Sequence, residues 1–472
     1  MDYSHGVVYT PQSVQSCKLD VSHLDTLGCS YVRIYWVDLV NIRRCRIVPI
    51  EHFKALLKSN RPGVNIVKVC LGLVYLMMAP GFQAVGEYLY TIDTTTLKPC
   101  PFAPGHFAIL GQFEEKTAFP GPDGNLTVGV SLCPRTLLRR IIEQIKQSHN
   151  TEFLVGFESE FILLKSTDPV DPVHIHDYSA SAGLLAGSLE ALVLQEIADG
   201  LRTAGISLEM FHAEAAPGQY EVVTGPLGPL EAADALIYTR ELIAQTAAKH
   251  GLHATFAPRP FMTSAGSSAH AHISVHSTSG EPKSADKMSK HESAFLAALL
   301  AHLPAIAALT LPTAASYKRM VDGAWSGGTY VSYGTENREA PVRLSNATSP
   351  SSRNFEVRCI DGTANPHVAL AAVFAGGLIG IREMMALEIK DCSGNTAAEL
   401  TETERRALGI TKRMPFSIAE ARQALEQDSA LCDVLGAEFV KKYLSVNKTL
   451  EAALVQDGEN EEQQLTRLVK FY

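Results

Sequence analysis

The chain reads as two hydrophobic regimes, strand-like alternation near the N-terminus and mixed strand and helix periods beyond it. The run Tyr31 to Leu39 (Tyr-Val-Arg-Ile-Tyr-Trp-Val-Asp-Leu) is rich in β-branched and aromatic residues, and Arg44 to Val48 follows closely, so the pair predicts a hairpin. Glu51 to Leu57 carries helical spacing, and Pro99 to Glu114 returns to strand-like material broken by Pro101, Pro104 and Gly105. This predicts a small β-rich unit with one helix. Phe119 to Asn125 (Phe-Pro-Gly-Pro-Asp-Gly-Asn) is the densest turn-forming cluster, and it divides the chain into residues 1–126 and 127–472.

The larger unit opens with an amphipathic helix, because Leu137, Leu138, Ile141, Ile142 and Ile145 recur at helical spacing after Pro134. Phe153–Leu164, Gln219–Thr224, Ala271–His276 and Asn354–Ile360 read as strands, while Ser188–Ala204 and Leu230–His250 read as helices ended near Gly205 and Gly251. Ala294 to Leu311 is apolar for close to the ~20 residues of a membrane helix. It contains His302 and Pro304, which favours a buried or kinked core helix and no membrane partner. The segment Asp457–Gln464 is polar and acidic.

Composition narrows the class. With 41 Lys plus Arg against 50 Asp plus Glu, the net charge of −9 excludes a globally basic nucleic-acid binder. At 46% hydrophobic and 19% charged, the 472 residues can bury a sizeable core. Nine cysteines occur singly with no Cys-x-x-Cys pair, a pattern of reduced thiols that predicts a cytoplasmic protein, and the N-terminus lacks the charge and apolar run of a secretory signal.

Polar residues inside the strands carry the chemistry. In Gly156-Phe-Glu-Ser-Glu-Phe161, Glu158 and Glu160 lie two apart and share one strand face, where they repel unless a cation joins them. His270 and His272 share a face of the next strand, and Glu356 and Arg358 share a face of the last. Glu214 and Glu221 lie seven apart across a Pro-Gly turn, so both reach one place. Five carboxylates with a histidine suit Mg²⁺ or Mn²⁺ better than zinc, and two such ions clamp a transferring phosphoryl group. The anion-binding partners are then Arg319, Arg338, Arg343 and Arg358. No P-loop and no Gly-x-Gly fingerprint occurs, so ATP would be held through metals and arginines.

In this order the motifs resemble the glutamine synthetase family from about Tyr31 onward: Gly156–Phe161, Glu214–Glu221, His270-Ala-His272, Asn337-Arg-Glu-Ala-Pro-Val-Arg343, and Phe355-Glu-Val-Arg358 followed by Asp361-Gly-Thr-Ala-Asn-Pro366. The resemblance implies an α+β fold, a small N-terminal β-grasp domain followed by a large catalytic domain with a curved antiparallel sheet. It implies one Mg²⁺ or Mn²⁺ at Glu160, Glu214 and Glu221, and a second at Glu158, His270 and Glu356. His272, Arg338 and Arg343 fall near the phosphates of ATP as cosubstrate, Arg338 and Glu356 at catalytic positions, and Gly266, Arg319 and Arg358 around the glutamate. A homo-oligomeric ring is also implied. The implied activity is a carboxylate–amine ligase acting through γ-glutamyl phosphate.

Two departures point to the amine, and a third bears on the glutamate contacts. Where ammonia-using members carry an acidic flap residue, Val321–Thr329 offers Trp325 or Ser326; no Asp-Gly-Ser-Ser-like segment occurs; and Ala265 stands where the family usually has asparagine. The Trp-Ser-Gly-Gly variant resembles the nodulin and fungal sporulation-protein branch of this class I-like family, and amine-using γ-glutamyl ligases. The expectation is a ligase joining ammonia or a small amine to glutamate. The alternatives are a non-catalytic scaffold or signalling protein of the same fold, and phosphoryl transfer to a guanidino compound.

Overall fold

The expected hairpin forms in the computed structural model, which describes residues 4–14, 18–121, 124–277, 284–285 and 287–472. β1 (Tyr31–Val37) and β2 (Arg43–Pro49) run antiparallel, and α1 (Ile50–Leu57) follows, burying Ile50 and Phe53. Two strands not read from the sequence complete this sheet, β3 (Gly63–Val67) and β4 (Glu87–Pro99), alongside β5 (His106–Pro120). The order is β2-β1-β5-β4-β3, with β1 parallel to β5 and the other neighbours antiparallel. β4 escapes a period-two reading because its register against β5 shifts between Asp93 and Lys98, in a Thr-rich stretch that interrupts the alternation. β6 (Leu126–Gly129) pairs back on β5 with Thr127 opposite Phe119, so the turn cluster is the bend of a hairpin and the small sheet continues past it. Pro122 and Asp123 of that turn lie outside the described residues. We propose the link 130–133 as the division between the small and large units.

α2 (Pro134–His149) has its proline in the first turn, where no intrahelical donor is lost, and buries Leu137, Leu138, Ile141 and Ile145 as the spacing predicts. The large sheet follows: β7 (Thr151–Thr167), β8 (Leu208–Ala213), β9 (Gln219–Leu227), β10 (Ala271–Ser277), β11 (Tyr333–Thr335), β12 (Val342–Ser345) and β13 (Asn354–Val357). Its order is β8-β9-β7-β10-β13-β12-β11, antiparallel except for β11 with β12. The fold is α+β. One face of the sheet is apolar. Phe153 of β7 packs its ring 5.4 Å from Phe295 in α5 (Lys290–Thr310) and 4.8 Å from Phe374 in α6 (Pro366–Glu383). At the β9 end, Phe161, Tyr220 and Val222 cluster with Val193, Leu194 and Ile197 of α3 (Leu189–Thr203) and with α4 (Pro229–Lys249).

α5 contains the apolar run with His302 and Pro304. It is long and apolar enough to cross a membrane, yet it is mostly buried against α6 inside the protein. The two helices approach closely because α6 carries glycines: a Cβ at Gly380 would lie 2.1 Å from the Ala294 carbonyl oxygen. The eight described cysteines are free thiols, and Cys17 lies outside the described residues.

A buried polar knot joins the two sheets. Arg135 of α2 donates from Nε and Nη2 to Asp234 of α4 and from Nη2 to Asp93 of β4, and His367 Nε2 sits 2.8 Å from Asp234 Oδ1. Burial opposes ionisation of Asp234, but Arg135 and His367 hold its carboxyl down at about 2, against an ordinary 3.8. Removing one member strands a buried charge, so Asp234→Ala is expected to lower the unfolding free energy by about 3–5 kcal/mol, read by denaturant titration. A depressed carboxyl stabilises the fold above its unfolded-state pKa and loses that contribution as pH falls through its folded value. The wild-type advantage over the variant should therefore be complete above about pH 4 and shrink toward pH 2.

Candidate functional site

The second face of the large sheet is polar, and strand register aligns its side chains. Arg343 (β12) pairs with Glu356 (β13), Glu356 with His272 (β10), and His272 with Gly156 (β7), one row across four strands. At Gly156 the neighbouring strand comes close: a Cβ there would lie 3.2 Å from the Thr224 carbonyl oxygen. His270 Nδ1 lies 2.8 Å from Glu158 Oε2 and 3.4 Å from Glu356 Oε1, while His272 Nε2 lies 2.9 Å from Glu158 Oε1. Asn354 Oδ1, 2.9 Å from His272 Nδ1, orients that ring. Glu356 also accepts from Arg343 Nη1 at 2.8 Å and from Arg358. Burial pushes the Glu356 carboxyl upward, but Arg358 and both histidines outweigh it and hold it at about 2.

A second group forms beside the first. Glu221 of β9 pairs with Glu160 of β7, and His212 of β8 pairs with Glu221. His212 Nε2 is 3.1 Å from Glu221 Oε1, and its Nδ1 is 3.7 Å from Glu214 Oε1. Glu160 is drawn aside: Ser268 donates to it from backbone and hydroxyl, and Gln219 Nε2 donates at 2.9 Å. Burial and the carboxylates of Glu221 and Glu214 push Glu160 up to about 8, burial pushes Glu221 to about 7, and the hydrogen bond to Glu221 lifts His212 to about 9. His212 is the residue that sequence reasoning missed. Its signal was present, since His212 and Glu214 lie two apart, but the segment 208–213 lacks the β-branched run that marks a strand.

The residues expected around an amino-acid substrate also converge. Arg319, 1% exposed, is among the largest fully buried side chains, and its Nε and Nη1 have no acceptor among the described residues. Unpaired guanidinium N–H groups in a buried position are costly, so they mark a place built for an anion. Gly266 lies against it: a Cβ there would fall 2.8 Å from the Pro258 carbonyl oxygen and 3.1 Å from Arg319 Cβ. Arg358 donates from Nη2 to the Trp325 carbonyl at 2.8 Å, and Glu339 accepts from the Trp325 and Gly323 amides. Trp325 is 53% exposed with its ring 5.6 Å from Tyr178, whereas Ser326 is buried. Arg338 is exposed, and its charge acts on Glu214.

The donor set fits divalent cations. Glu158, His272 and Glu356 form one group, and His212, Glu214 and Glu221 another, each with donor atoms within 4.8 Å of one another. Carboxylate oxygens dominate both, as Mg²⁺ and Mn²⁺ prefer.

Residues 131–464 match the family model for the glutamine synthetase catalytic domain. The chain belongs to the glutamine synthetase family. Protein fluG of Emericella nidulans is 36% identical over 432 residues, which cover 89% of this chain and 46% of that protein, so the chain spans under half of that relative. Gamma-glutamylpolyamine synthetase GlnA3 of Streptomyces coelicolor is 32% identical over 325 residues, 66% of this chain and 68% of that one. The solved structure of a GmaS/ADP complex, 24% identical, superposes with a TM-score of 0.77 over 93% of this chain and 97% of its own, which shows the shared glutamine synthetase fold.

Gly266→Ala tests the close packing against Arg319. Backbone and a buried guanidinium must both shift, so a loss of about 1–3 kcal/mol in unfolding free energy is expected, with Gly266→Ser at least as severe. Denaturant titration of the two variants gives the measurement.

Proposed function

We propose that this glutamine synthetase family member is an ATP-dependent ligase that joins an amine to the γ-carboxylate of glutamate through γ-glutamyl phosphate. The observation that carries this is Arg319, buried with open guanidinium N–H groups beside Gly266 and the charged strand rows. In this reading Arg319 and Arg358 hold the α-carboxylate of glutamate in planar, charge-assisted hydrogen bonds. Gly266, packed against Arg319, presents its backbone to that substrate's other side. His272, Arg338 and Arg343 face the ATP phosphates, with Arg338 steadying the transferring group, and Glu356 sets the position of Arg343 and Arg358. Glu158, His270 and Glu356 would hold one Mg²⁺ or Mn²⁺, and Glu160, Glu214 and Glu221 the other. When bound, those ions supply neutralisation of phosphate charge. The γ-carboxylate attacks the terminal phosphorus, ADP leaves, and the amine displaces phosphate from the acyl phosphate.

The flap region supports an organic amine over ammonia. By the sequence resemblance Trp325, exposed here, takes the place of the flap carboxylate that would hold ammonium, and the similarity to a gamma-glutamylpolyamine synthetase leans the same way. A ring of identical subunits and a cytoplasmic location belong to the same reading; the free thiols support the latter.

Purified protein with glutamate, ATP, Mg²⁺ or Mn²⁺, and a panel of ammonium, methylamine, ethylamine and putrescine decides. Amine-dependent ADP release with a γ-glutamyl amide detected by mass is expected, higher for an organic amine than for ammonium. Nucleotide binding without turnover across the panel would overturn the ligase in favour of a scaffold, and a phosphoguanidine product would reassign the reaction. Arg319→Ala should raise the glutamate KM at least tenfold, equivalent to about 1.4 kcal/mol, and leave the KM for ATP nearly unchanged.

A further inference from the structure

The family resemblance assigns only carboxylates, Glu160, Glu214 and Glu221, to one of the two cation positions. The strand register puts a nitrogen donor in the same place. His212, Glu221 and Glu160 are consecutive members of one row across β8, β9 and β7, and Glu214 lies two residues beyond His212 along the chain. The imidazole is therefore delivered to the charged face by the same pairing that delivers the carboxylates. Its Nε2 stands 3.1 Å from Glu221 Oε1, the separation expected of two atoms that share an octahedral ion at about 2.1–2.2 Å from each.

Two further contacts fix the roles within the row. His212 Nδ1 is 3.1 Å from the carbonyl oxygen of Ala213. A proton on Nδ1 donated to that carbonyl leaves the Nε2 lone pair facing the carboxylates, the arrangement by which metal-binding histidines are commonly oriented. Glu160, by contrast, has both oxygens occupied by neutral donors: Ser268 Oγ on Oε1, and the Ser268 amide at 3.1 Å and Gln219 Nε2 at 2.9 Å on Oε2. Of the three carboxylates assigned to this position, Glu160 is the one with both oxygens already accepting hydrogen bonds from neutral donors.

We propose that His212 is a metal ligand through Nε2, completing the position of Glu214 and Glu221, and that this nitrogen makes the position select Mn²⁺ over Mg²⁺. The proposal rests on the reading that this face binds divalent cations. It does not depend on which reaction follows. Mg²⁺ takes oxygen donors almost exclusively, whereas imidazole strengthens binding of the first-row transition ions. The other position takes its nitrogen from His270, with His272 also on Glu158, so the two ions differ in the strand that supplies their nitrogen.

The test uses full-length, metal-depleted protein titrated with Mn²⁺, with and without Mg²⁺ competition, and read by electron paramagnetic resonance. In His270→Gln/His272→Gln the nitrogen donors of the neighbouring position are gone. Electron spin echo modulation from one imidazole ¹⁴N is expected to remain on bound Mn²⁺ and to vanish when His212→Gln is added. In the single variant His212→Gln, Mn²⁺ affinity at one position should fall at least tenfold while Mg²⁺ affinity there changes less than threefold. An equal loss of both ions would show a structural role and overturn the proposal, as would bound Mn²⁺ lacking ¹⁴N modulation in the His270→Gln/His272→Gln protein. Retained modulation in the His270→Gln/His272→Gln protein, with wild-type protein that makes no amide, upholds His212 and sinks the ligase reading; an active wild-type ligase whose Mn²⁺ shows no His212-dependent modulation does the reverse.

Discussion

Carboxylates forced side by side on a partly desolvated sheet repel one another, and the rest of this structure is arranged around that repulsion. At an effective dielectric of about 20, two unit charges about 4 Å apart interact by about 4 kcal/mol, comparable to a large share of a domain's net stability. Glu158, Glu160, Glu214, Glu221 and Glu356 gather on one face, so the protein surrounds them with cations and donors. His270 and His272 meet Glu158, Arg343 and Arg358 meet Glu356, His212 meets Glu221, and Ser268 with Gln219 meets Glu160. The compensation is uneven. Glu356 is held far toward its ionised form because Arg358 and both histidines outweigh its burial, while Glu160 is pushed toward its neutral one by burial and by the carboxylates of Glu221 and Glu214, which the hydrogen bond from Ser268 only partly offsets.

Such a face stays ordered only if the backbone beneath it cannot yield. Period-two geometry puts the acids on one side of β7 and Phe153, Phe157 and Phe161 on the other, where α5 and α6, with α3 and α4 at the far end, bury them. Glycine at Gly380 draws α6 onto α5, and that close packing carries through Phe295 to the rings beneath the charged rows. The polar knot of Arg135, Asp234, Asp93 and His367 binds the small sheet to the same helices. Apolar burial and charge alignment are thus two faces of one sheet, fixed by a single register.

What could be read from the sequence was what obeys local periods. Glu158 with Glu160, and His270 with His272, declare a shared face through spacing alone, and the helices α2, α3 and α4 declare themselves through apolar recurrence and their stops. Burial and approach across distant segments are not local. Nothing near Arg319 in the sequence tells that its guanidinium is sealed from water with open N–H groups. Nothing around Glu160 tells that Ser268 will draw its carboxylate aside. β4 was hidden by a bulge, and β8, the strand that carries His212, by its lack of β-branched residues. Of the cluster at 119–125, Phe119 and Pro120 extend β5 while Gly121, Gly124 and Asn125 lie at the bend, and whether a bend separates units or closes a hairpin depends on which strand its far side joins.

The loops that carry Trp325 and Tyr178 show how the charged rows reach outward. Trp325 and Tyr178 both have positive φ, 51° and 54°, a backbone conformation costing non-glycine residues of order 1–2 kcal/mol each. Both are held there at their backbones. Glu339 accepts the Trp325 amide, Arg358 donates to the Trp325 carbonyl, and the Tyr178 amide donates to the Ala215 carbonyl, next to Glu214. Each loop is thus tied at its backbone to a residue beside or within the charged rows, and the two exposed rings meet with their centroids 5.6 Å apart. Since Arg358 also pairs with Glu356, the Trp325 loop is held by the same arginine that relieves repulsion in the rows beside it.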